Sequence, residues 1–343
     1  MTTNANVLVY DGRVGLHNVA ETFQAGAEIG LSRIPLALGA TLNDNARMRT
    51  GFMTGSEIRF NLRGDHAAIT LRMLEQPSLV ELYNGTFFVD WYVIGTEPTR
   101  IEIAPPERLN LLRMLQQESK VGFDPDLFRL MLPWKPEVRL VALEGDMQPP
   151  RRDQTPALRY LVYGSSISYG NSGIHPSGMY VQRTAQLLGV DLINIGFGGG
   201  AHLEPQMADY LASRTDWDFA SLEFGINLME APITEQEFAQ RVDYFIKTLV
   251  SAHPEKVLFI LDMFPYFADY EGDLALERRA INFRAIVHEA IARNASSQII
   301  GVDALTMLTP ASGLQADVLH PSPQGMEEIG GKLAAIMRPV LNL

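Results

Sequence analysis

The chain has 343 residues, of which 46% are hydrophobic, and its 28 Lys and Arg against 40 Asp and Glu give a formal net charge of −12. This length and composition predict two folded domains and disfavour a disordered chain. The acidic balance disfavours a nucleic-acid partner, because polyanion binding needs a basic face, and favours a neutral small molecule. The absence of cysteine excludes disulfides, thiolate metal sites and cysteine nucleophiles.

The N-terminal residues lack the basic and apolar regions of a signal peptide. No run of about 18 apolar residues is available to span a bilayer. We therefore expect a soluble cytoplasmic protein that has no membrane partner.

Up to about residue 150 the apolar pattern has a period of two, which is typical of half-buried antiparallel strands. The segments EIRFNL (57–62) and AITLRM (68–73) each place three apolar side chains on one face. Asn84 and Gly85 lie between two further strand-like runs and favour a tight hairpin, because both tolerate positive φ angles. We expect an all-β sandwich or jelly-roll domain over residues 1–150.

Two segments of this half depart from the strand pattern. Residues 109–115 are predicted to form a short helix. Residues 144–156 (EGDMQPPRRDQTP) are polar, proline-rich and without periodicity, which favours an interdomain linker. The second domain is then expected to span residues 157–343.

After residue 157, apolar strands without alternation are separated by amphipathic helices. This pattern predicts an α/β domain with a doubly wound parallel sheet that is covered on both faces. One helix start is well marked, because Thr234 and Glu237 have the spacing of a capping box.

Polar and glycine-rich residues follow three of the predicted parallel strands. The first strand ends in residues 164–166 (GSS), the second in 194–200 (NIGFGGG) and the third in 225–227 (GIN). In doubly wound sheets the ligand crevice lies beyond the carboxyl ends of the strands. These three loops are therefore the candidates for a functional site.

Asp317 and His320 lie near the C-terminus, just before the last predicted helix, which Ser322 and Pro323 would begin. One turn of chain can bring the Asp317 carboxylate to His320 Nδ1, which would fix the tautomer and stabilise the imidazolium. A serine hydroxyl needs such a base in contact to act as a nucleophile, and Ser166 is the candidate. Acyl transfer also needs donors for the developing oxyanion.

These residues together resemble the sequence blocks of the SGNH hydrolases, also called the GDSL lipase/esterase superfamily. The resemblance implies a flavodoxin-like hydrolase fold in which Ser166 is the nucleophile, His320 the base and Asp317 the acid. It also implies an oxyanion hole formed by Ser166, Gly199 and Asn227. A β-sandwich placed before such a domain is similar to one esterase subgroup of the superfamily.

Two positions depart from the family pattern. Ser165 stands where an aspartate usually precedes the block I serine, and Leu228 stands where an aspartate often follows the block III asparagine. Neither position supplies the nucleophile, the base or an oxyanion donor. The departures therefore bear on the subgroup and the substrate and leave the prediction of hydrolysis intact.

The segment GFGGGA (196–201) also matches a dinucleotide-binding fingerprint. That fingerprint normally occupies the first strand-to-helix turn, which here contains the serine pair. The acids that could bind a ribose, Asp216 and Asp218, precede the next strand although such an acid should end it. We expect no cofactor and no metal.

Five neighbouring residues have two open interpretations. His202 and Glu204 could line the pocket or could begin the following helix. Tyr169, Phe197 and Met229 could shape the pocket or could simply pack in the core.

The sequence thus predicts a serine esterase that cleaves a small-molecule carboxylic ester through an acyl-enzyme. By analogy with the family, the acyl group is expected to be short, such as acetyl, on a sugar or another polyol. The alternative is a carbohydrate-binding protein whose hydrolase fold is inactive. The oligomeric state is left open.

Overall fold

The computed structural model describes residues 7–119, 122–294, 296 and 298–343. Within these residues the strands form a 10-stranded antiparallel sheet followed by a 5-stranded parallel sheet. The predicted fold class, an antiparallel β-rich domain before a parallel α/β domain, is confirmed. No helix of the described segments is both long enough and apolar enough to cross a membrane.

The first sheet is built around one long central strand. Its strands are β1 (Leu8–Tyr10), β2 (Val14–His17), β3 (Glu21–Ala25), β4 (Glu28–Ser32), β5 (Glu57–Met73), β6 (Ser78–Asn84), β7 (Phe87–Ile94), β8 (Thr99–Ile103), β9 (Leu127–Met131) and β10 (Val138–Gln148). The main order is β3-β4-β10-β5-β9-β6-β7, and β2 and β8 also pair with β5. Three helices lie between these strands, namely α1 (Leu36–Gly39), α2 (Asp44–Met48) and α3 (Leu109–Ser119).

Several predictions for this half can now be compared with the structure. The β6–β7 hairpin is confirmed, with Gly85 at φ +57°, although Asn84 is the last residue of its strand. The predicted helix at 109–115 is confirmed as the first part of α3. The segments 57–62 and 68–73 are two parts of the single strand β5, whose pairing with β10 passes from Ala67 to Leu62 with a register shift across the exposed residues 63–66.

The prediction of a linker at 144–156 is wrong for its first five residues. Residues 144–148 continue β10 and pair with β5, so their polar side chains lie on an exposed part of a strand. Gln154 is buried, and its side-chain amide exchanges hydrogen bonds of 2.9 and 2.6 Å with that of Asn61. The position of the domain boundary stays a prediction.

The second sheet has only parallel pairings, in the order β12-β11-β13-β14-β15. Its strands are β11 (Arg159–Tyr163), β12 (Asp191–Asn194), β13 (Phe219–Glu223), β14 (Val257–Leu261) and β15 (Ile299–Val302). The helices are α4 (Ser166–Tyr169), α5 (Tyr180–Leu188), α6 (Pro205–Ser213), α7 (Glu235–Ala252), α8 (Leu274–Arg293), α9 (Pro310–Gly313) and α10 (Pro323–Leu341). The chain order reverses between β11 and β13, which is where such sheets open a crevice.

Helices cover both faces of this sheet. Leu161 and Tyr163 of β11 belong to an apolar cluster with α6, α7 and α8, whereas Tyr160 and Val162 belong to a cluster with α5 and α10. Successive residues of one strand are therefore buried on opposite sides, which explains why the parallel strands are apolar throughout. The predicted capping box before α7 and the Ser322 cap before α10 are both present.

Candidate active site

Ser166 is placed by a sharp turn between β11 and α4. Ser165 caps this short helix, since its Oγ accepts the N–H of Ile167 at 3.2 Å. Ser166 occupies the first helical position, where a backbone N–H has no acceptor within the helix. Gly164 precedes the pair at a point where a Cβ would lie 2.4 Å from Ser168 Oγ. Close packing beneath the turn therefore requires a glycine there.

His320 and Asp317 form a compact loop before α10. Asp317 Oδ2 lies 2.7 Å from His320 Nδ1, and Asp317 Oδ1 accepts the backbone N–H groups of Leu319 and His320 at 3.0 Å each. Burial raises the pKa of Asp317, but the hydrogen bonds from His320 and Leu319 outweigh it and hold the pKa below its ordinary value. An ionised Asp317 can keep a proton on His320 Nδ1 and leave Nε2 as an acceptor.

The loops that carry Ser166 and His320 meet at the sheet edge. His320 Nε2 lies 2.9 Å from Ser166 Oγ. Gly199, at φ +66°, and Asn227 lie on the two neighbouring loops. Asn227 Oδ1 accepts the N–H of Ala201 at 3.1 Å, which directs the amide nitrogen of Asn227 away from that loop.

These residues surround a cavity of about 320 Å³. Its lining residues are Arg49, Phe52, Trp134, Lys135, Ser166, Tyr169, Asn171, Gly198, Gly199, Asn227, Leu319 and His320. Four of the five predicted site residues line this cavity. The fifth, Asp317, does not line it but is hydrogen-bonded to His320, which does. The structure therefore brings all five residues together.

The antiparallel sheet and its loops supply one wall of the cavity. Arg49, Phe52, Trp134 and Lys135 belong to this part of the chain. Trp134 Nε1 donates to the carbonyl of Gly173 at 3.0 Å, so the wall is tied to the loop after α4. Sequence reasoning did not find these residues, because no local motif marks side chains that reach a site formed by the other half of the chain.

Glu223 is a buried carboxylate directly beneath Ser165 and was also missed. It accepts the N–H of Ser165 at 2.9 Å, and the hydroxyls of Ser165 and Ser168 at 2.6 and 2.7 Å. Burial raises the pKa of Glu223, and these hydrogen bonds oppose the rise only in part. The sequence signal was a single charged residue at the end of the apolar strand FASLE.

The residues with two open interpretations separate clearly. Tyr169 lines the cavity. Phe197 and Met229 are buried in the apolar cluster and do not line it. Glu204 stands at the N-cap position of α6, and His202 does not line the cavity either.

The glycines at 196–200 have a packing role. A Cβ on Gly200 would lie 2.6 Å from the backbone nitrogen of Ala46 in α2. The side-chain amides of Asn43 and Asn45 donate to the carbonyls of Gly200 and Gly199 at 2.9 and 3.1 Å. The close backbone approach that glycine permits is thus used by α2, so the glycine pattern does not require a nucleotide. In the described ranges, no group of three or more His, Asp or Glu residues could hold a metal ion.

The fold and the site geometry together define an α/β domain in which a serine, a histidine and an aspartate meet at one edge of a parallel sheet. Residues 162–328 match the model of the GDSL-like lipase/acylhydrolase family. This match confirms the resemblance that was inferred from the sequence for this part of the chain. No curated protein sequence matches the chain.

Solved structures share the complete two-part architecture. The salicylyl-acyltransferase SsfX3 from a tetracycline biosynthetic pathway has a TM-score of 0.77 at 14% identity, over 96% of this chain and 95% of its own. A carbohydrate esterase family 2 enzyme with a carbohydrate-binding domain, from Corynascus thermopiles (Myceliophthora fergusii), has a TM-score of 0.62 at 16% identity, over 84% and 95%. The acetyl xylan esterase Est2A from Butyrivibrio proteoclasticus has a TM-score of 0.55 at 13% identity, over 97% of each chain. At these identities the likeness establishes the fold alone.

Proposed function

We propose that this protein is a serine esterase in which Ser166 is the nucleophile, His320 the general base and Asp317 the group that orients the base. One observation carries the proposal: a continuous line of hydrogen-bond contacts, 2.7 Å from Asp317 to His320 and 2.9 Å from His320 to Ser166. A serine hydroxyl is a weak nucleophile at its ordinary pKa and is activated by a base at this distance.

In the proposed reaction, Ser166 Oγ attacks the acyl carbon while its proton passes to His320 Nε2. The tetrahedral intermediate collapses, and His320 returns that proton to the departing alcohol. Water then attacks the acyl-enzyme in the same manner, which releases the carboxylic acid and restores Ser166. Asp317 keeps the imidazole in the required tautomer and stabilises its cationic form throughout.

The oxyanion would be held by three donors on neighbouring loops. We assign the backbone N–H groups of Ser166 and Gly199 and the side-chain amide of Asn227 to this role. All three residues line the same cavity as His320. Each such donor typically lowers the barrier by about 3 kcal/mol, because it acts on charge that develops in the transition state.

We propose short acyl esters, such as acetyl esters of a sugar or another polyol, as substrates. The cavity of about 320 Å³ suits a small acyl group together with part of an alcohol. Two of the proteins that share the fold are described as a carbohydrate esterase and an acetyl xylan esterase, and their names support the same class. No cofactor takes part in the proposed reaction, and the cytoplasmic location expected from the sequence stays a prediction.

The proposal is tested by comparing two adjacent serines. We expect Ser166→Ala to lower the rate of 4-nitrophenyl acetate hydrolysis by about 10³-fold or more, since removal of a serine nucleophile leaves only residual catalysis. Ser165→Ala should retain most of the activity, because Ser165 faces Glu223 and not His320. A fluorophosphonate probe followed by peptide mapping should label Ser166 in the folded wild-type protein.

Two outcomes would contradict the assignment. Loss of activity in Ser165→Ala with retention in Ser166→Ala would show that the other hydroxyl is the nucleophile. Failure of the folded protein both to hydrolyse any ester and to react with the probe would favour the alternative of a carbohydrate-binding protein with an inactive hydrolase fold. Circular dichroism of both variants shows whether either loss comes from misfolding.

A further inference from the structure

The cavity next to Ser166 is lined by two cationic side chains and by no acidic one among the residues described. Arg49 donates from Nη1 to the backbone and side-chain oxygens of Asn45 at 3.0 and 3.2 Å. A Cβ on Gly198 would lie 3.3 Å from Arg49 Nε, so the guanidinium stands beside the glycine loop. Lys135 is exposed at the rim, with Nζ 4.2 Å from the Trp134 ring.

A third cation lies immediately behind this wall. Arg33 is fully buried and donates to the carbonyls of Phe52, Asn194 and Arg49 at 2.6, 2.9 and 3.1 Å. Its guanidinium also lies 4.8 Å from the centre of the Phe197 ring. Burial lowers the pKa of Arg33 to about 10, so the group is still charged at neutral pH.

None of these three cations has a carboxylate partner among the described residues. The ion pairs of those residues, with N to O distances up to 4.0 Å, include neither Arg33, Arg49 nor Lys135. Carbonyl dipoles and aromatic rings solvate Arg33 but do not neutralise it. A low-dielectric wall of one charge sign focuses the field into the cavity that it borders.

We propose that this cavity selects esters that carry a negatively charged group, such as a carboxylate, close to the scissile bond, and that Arg49 and Lys135 bind that group. The proposal rests on the esterase function proposed above and adds the charge of its substrate. It departs from the neutral substrate favoured by the net charge of −12, because the positive groups are gathered at one site of an acidic molecule. Arg49 is the main contributor, since a guanidinium forms paired hydrogen bonds with a carboxylate.

The test uses two pairs of esters, in each of which a carboxylate of one member is replaced by a neutral methyl ester in the other. Anionic 4-acetoxybenzoate and its neutral methyl ester place the carboxylate on the alcohol side, whereas 4-nitrophenyl hydrogen succinate and its methyl ester place it on the acyl side. At about pH 7.5 both carboxylates are ionised. We expect kcat/KM to favour the anionic member of one pair by about tenfold or more, which is the usual strength of a charged hydrogen bond.

The variants identify which cation is responsible. Arg49→Gln should lower the anionic-to-neutral ratio of kcat/KM by about tenfold, and Arg49→Lys should restore part of it. Lys135→Gln should have a smaller effect, because an exposed ammonium is screened by water and salt. Arg47→Gln is the matched control, because this substitution changes the net charge by the same amount. Arg47 lies two residues from Arg49, pairs with Asp44 and does not line the cavity.

Ratios near one for both ester pairs would overturn the charge preference while leaving the esterase intact, as would equal effects of Arg49→Gln and Arg47→Gln. If no ester is hydrolysed, the esterase proposal fails, and calorimetry still tests the anion site. The wild type should then bind 4-hydroxybenzoate more tightly than its methyl ester, and Arg49→Gln should lose the difference. Equal binding of the two compounds by the wild type would also overturn the inference.

Discussion

The buried carboxylate of Glu223 explains why a serine fits at position 165. Ser165 stands where the family usually has an aspartate, and its hydroxyl donates to Glu223 at 2.6 Å. An aspartate at this position would place a second carboxylate against a buried one that has no cationic partner among the residues bonded to it. The serine instead adds a hydroxyl donor to the backbone N–H that already binds Glu223, and its Oγ caps α4 beneath Ser166.

Glu223 should make stability depend on pH. Its pKa is raised by burial, so it contributes stability that is fully present below the unfolded pKa of about 4.3 and is lost as pH rises through the folded value. A glutamine cannot ionise. We therefore expect the Tm of Glu223→Gln to rise relative to the Tm of the wild type as the pH is increased from about 4 to about 7.

Thermal denaturation followed by circular dichroism across this pH interval measures the effect. Glu255→Gln is the control, because Glu255 is exposed in a turn and its substitution should leave the Tm difference nearly independent of pH. A Tm difference for Glu223→Gln that stays constant over the same interval would mean that the buried carboxyl is not destabilised by ionisation.

The glycine loop and α2 form the contact through which the first half of the chain shapes the site. Gly200 lies against the backbone of Ala46, and Asn43 caps α2 while its amide bonds to Gly200. Gly199, the proposed oxyanion donor, is held by Asn45 in the same way. A change that moves α2 therefore also moves an oxyanion donor.

Gly200→Ala should destabilise the protein by about 1 to 3 kcal/mol, because the added methyl group would overlap a rigid backbone. Gly331→Ala is the matched control. Gly331 lies inside α10, where a Cβ would meet nothing within 4 Å, so alanine should stabilise by up to about 1 kcal/mol. Urea denaturation of the two variants measures both changes. Equal and small effects would show that the loop moves freely away from α2.

Local patterns predicted the parallel sheet and the site loops well, and long-range contacts explain what was missed. The sequence identifies Ser166, Asn227 and His320 as candidates, because each lies within a few residues of an apolar strand or helix. Arg49 and Trp134 reach the cavity only after the two halves dock, and nothing adjacent in sequence records that contact. Residues 144–148 were misread because polar side chains on an exposed strand resemble those of a linker.

A buried network of charges joins the antiparallel sheet to the parallel sheet. Arg59 of β5 bonds to both carboxylate oxygens of Asp191 in β12 at 2.7 and 2.6 Å, and to Glu57 at 2.7 Å. Glu57 in turn pairs with Arg129 of β9. Breaking such a pair leaves an uncompensated charge in the interior. The network therefore fixes the relative position of the two sheets on which the cavity depends.

His17 contacts the same region between the two sheets, since its Nε2 lies 2.5 Å from the carbonyl of Leu192 in β12. We expect this histidine to make the stability of the protein depend on pH. Burial, followed by the charge of Arg59, lowers the pKa of His17 to about 4. A group with a lowered pKa contributes stability that is present above the unfolded pKa of about 6.5 and is lost as the pH falls through the folded pKa.

Between about pH 7.5 and pH 4, the wild type should lose about 3 kcal/mol more unfolding free energy than His17→Gln, whose amide can still donate to Leu192. Urea denaturation at both pH values measures this loss. Equal losses in the wild type and His17→Gln would show that His17 is already charged within this region.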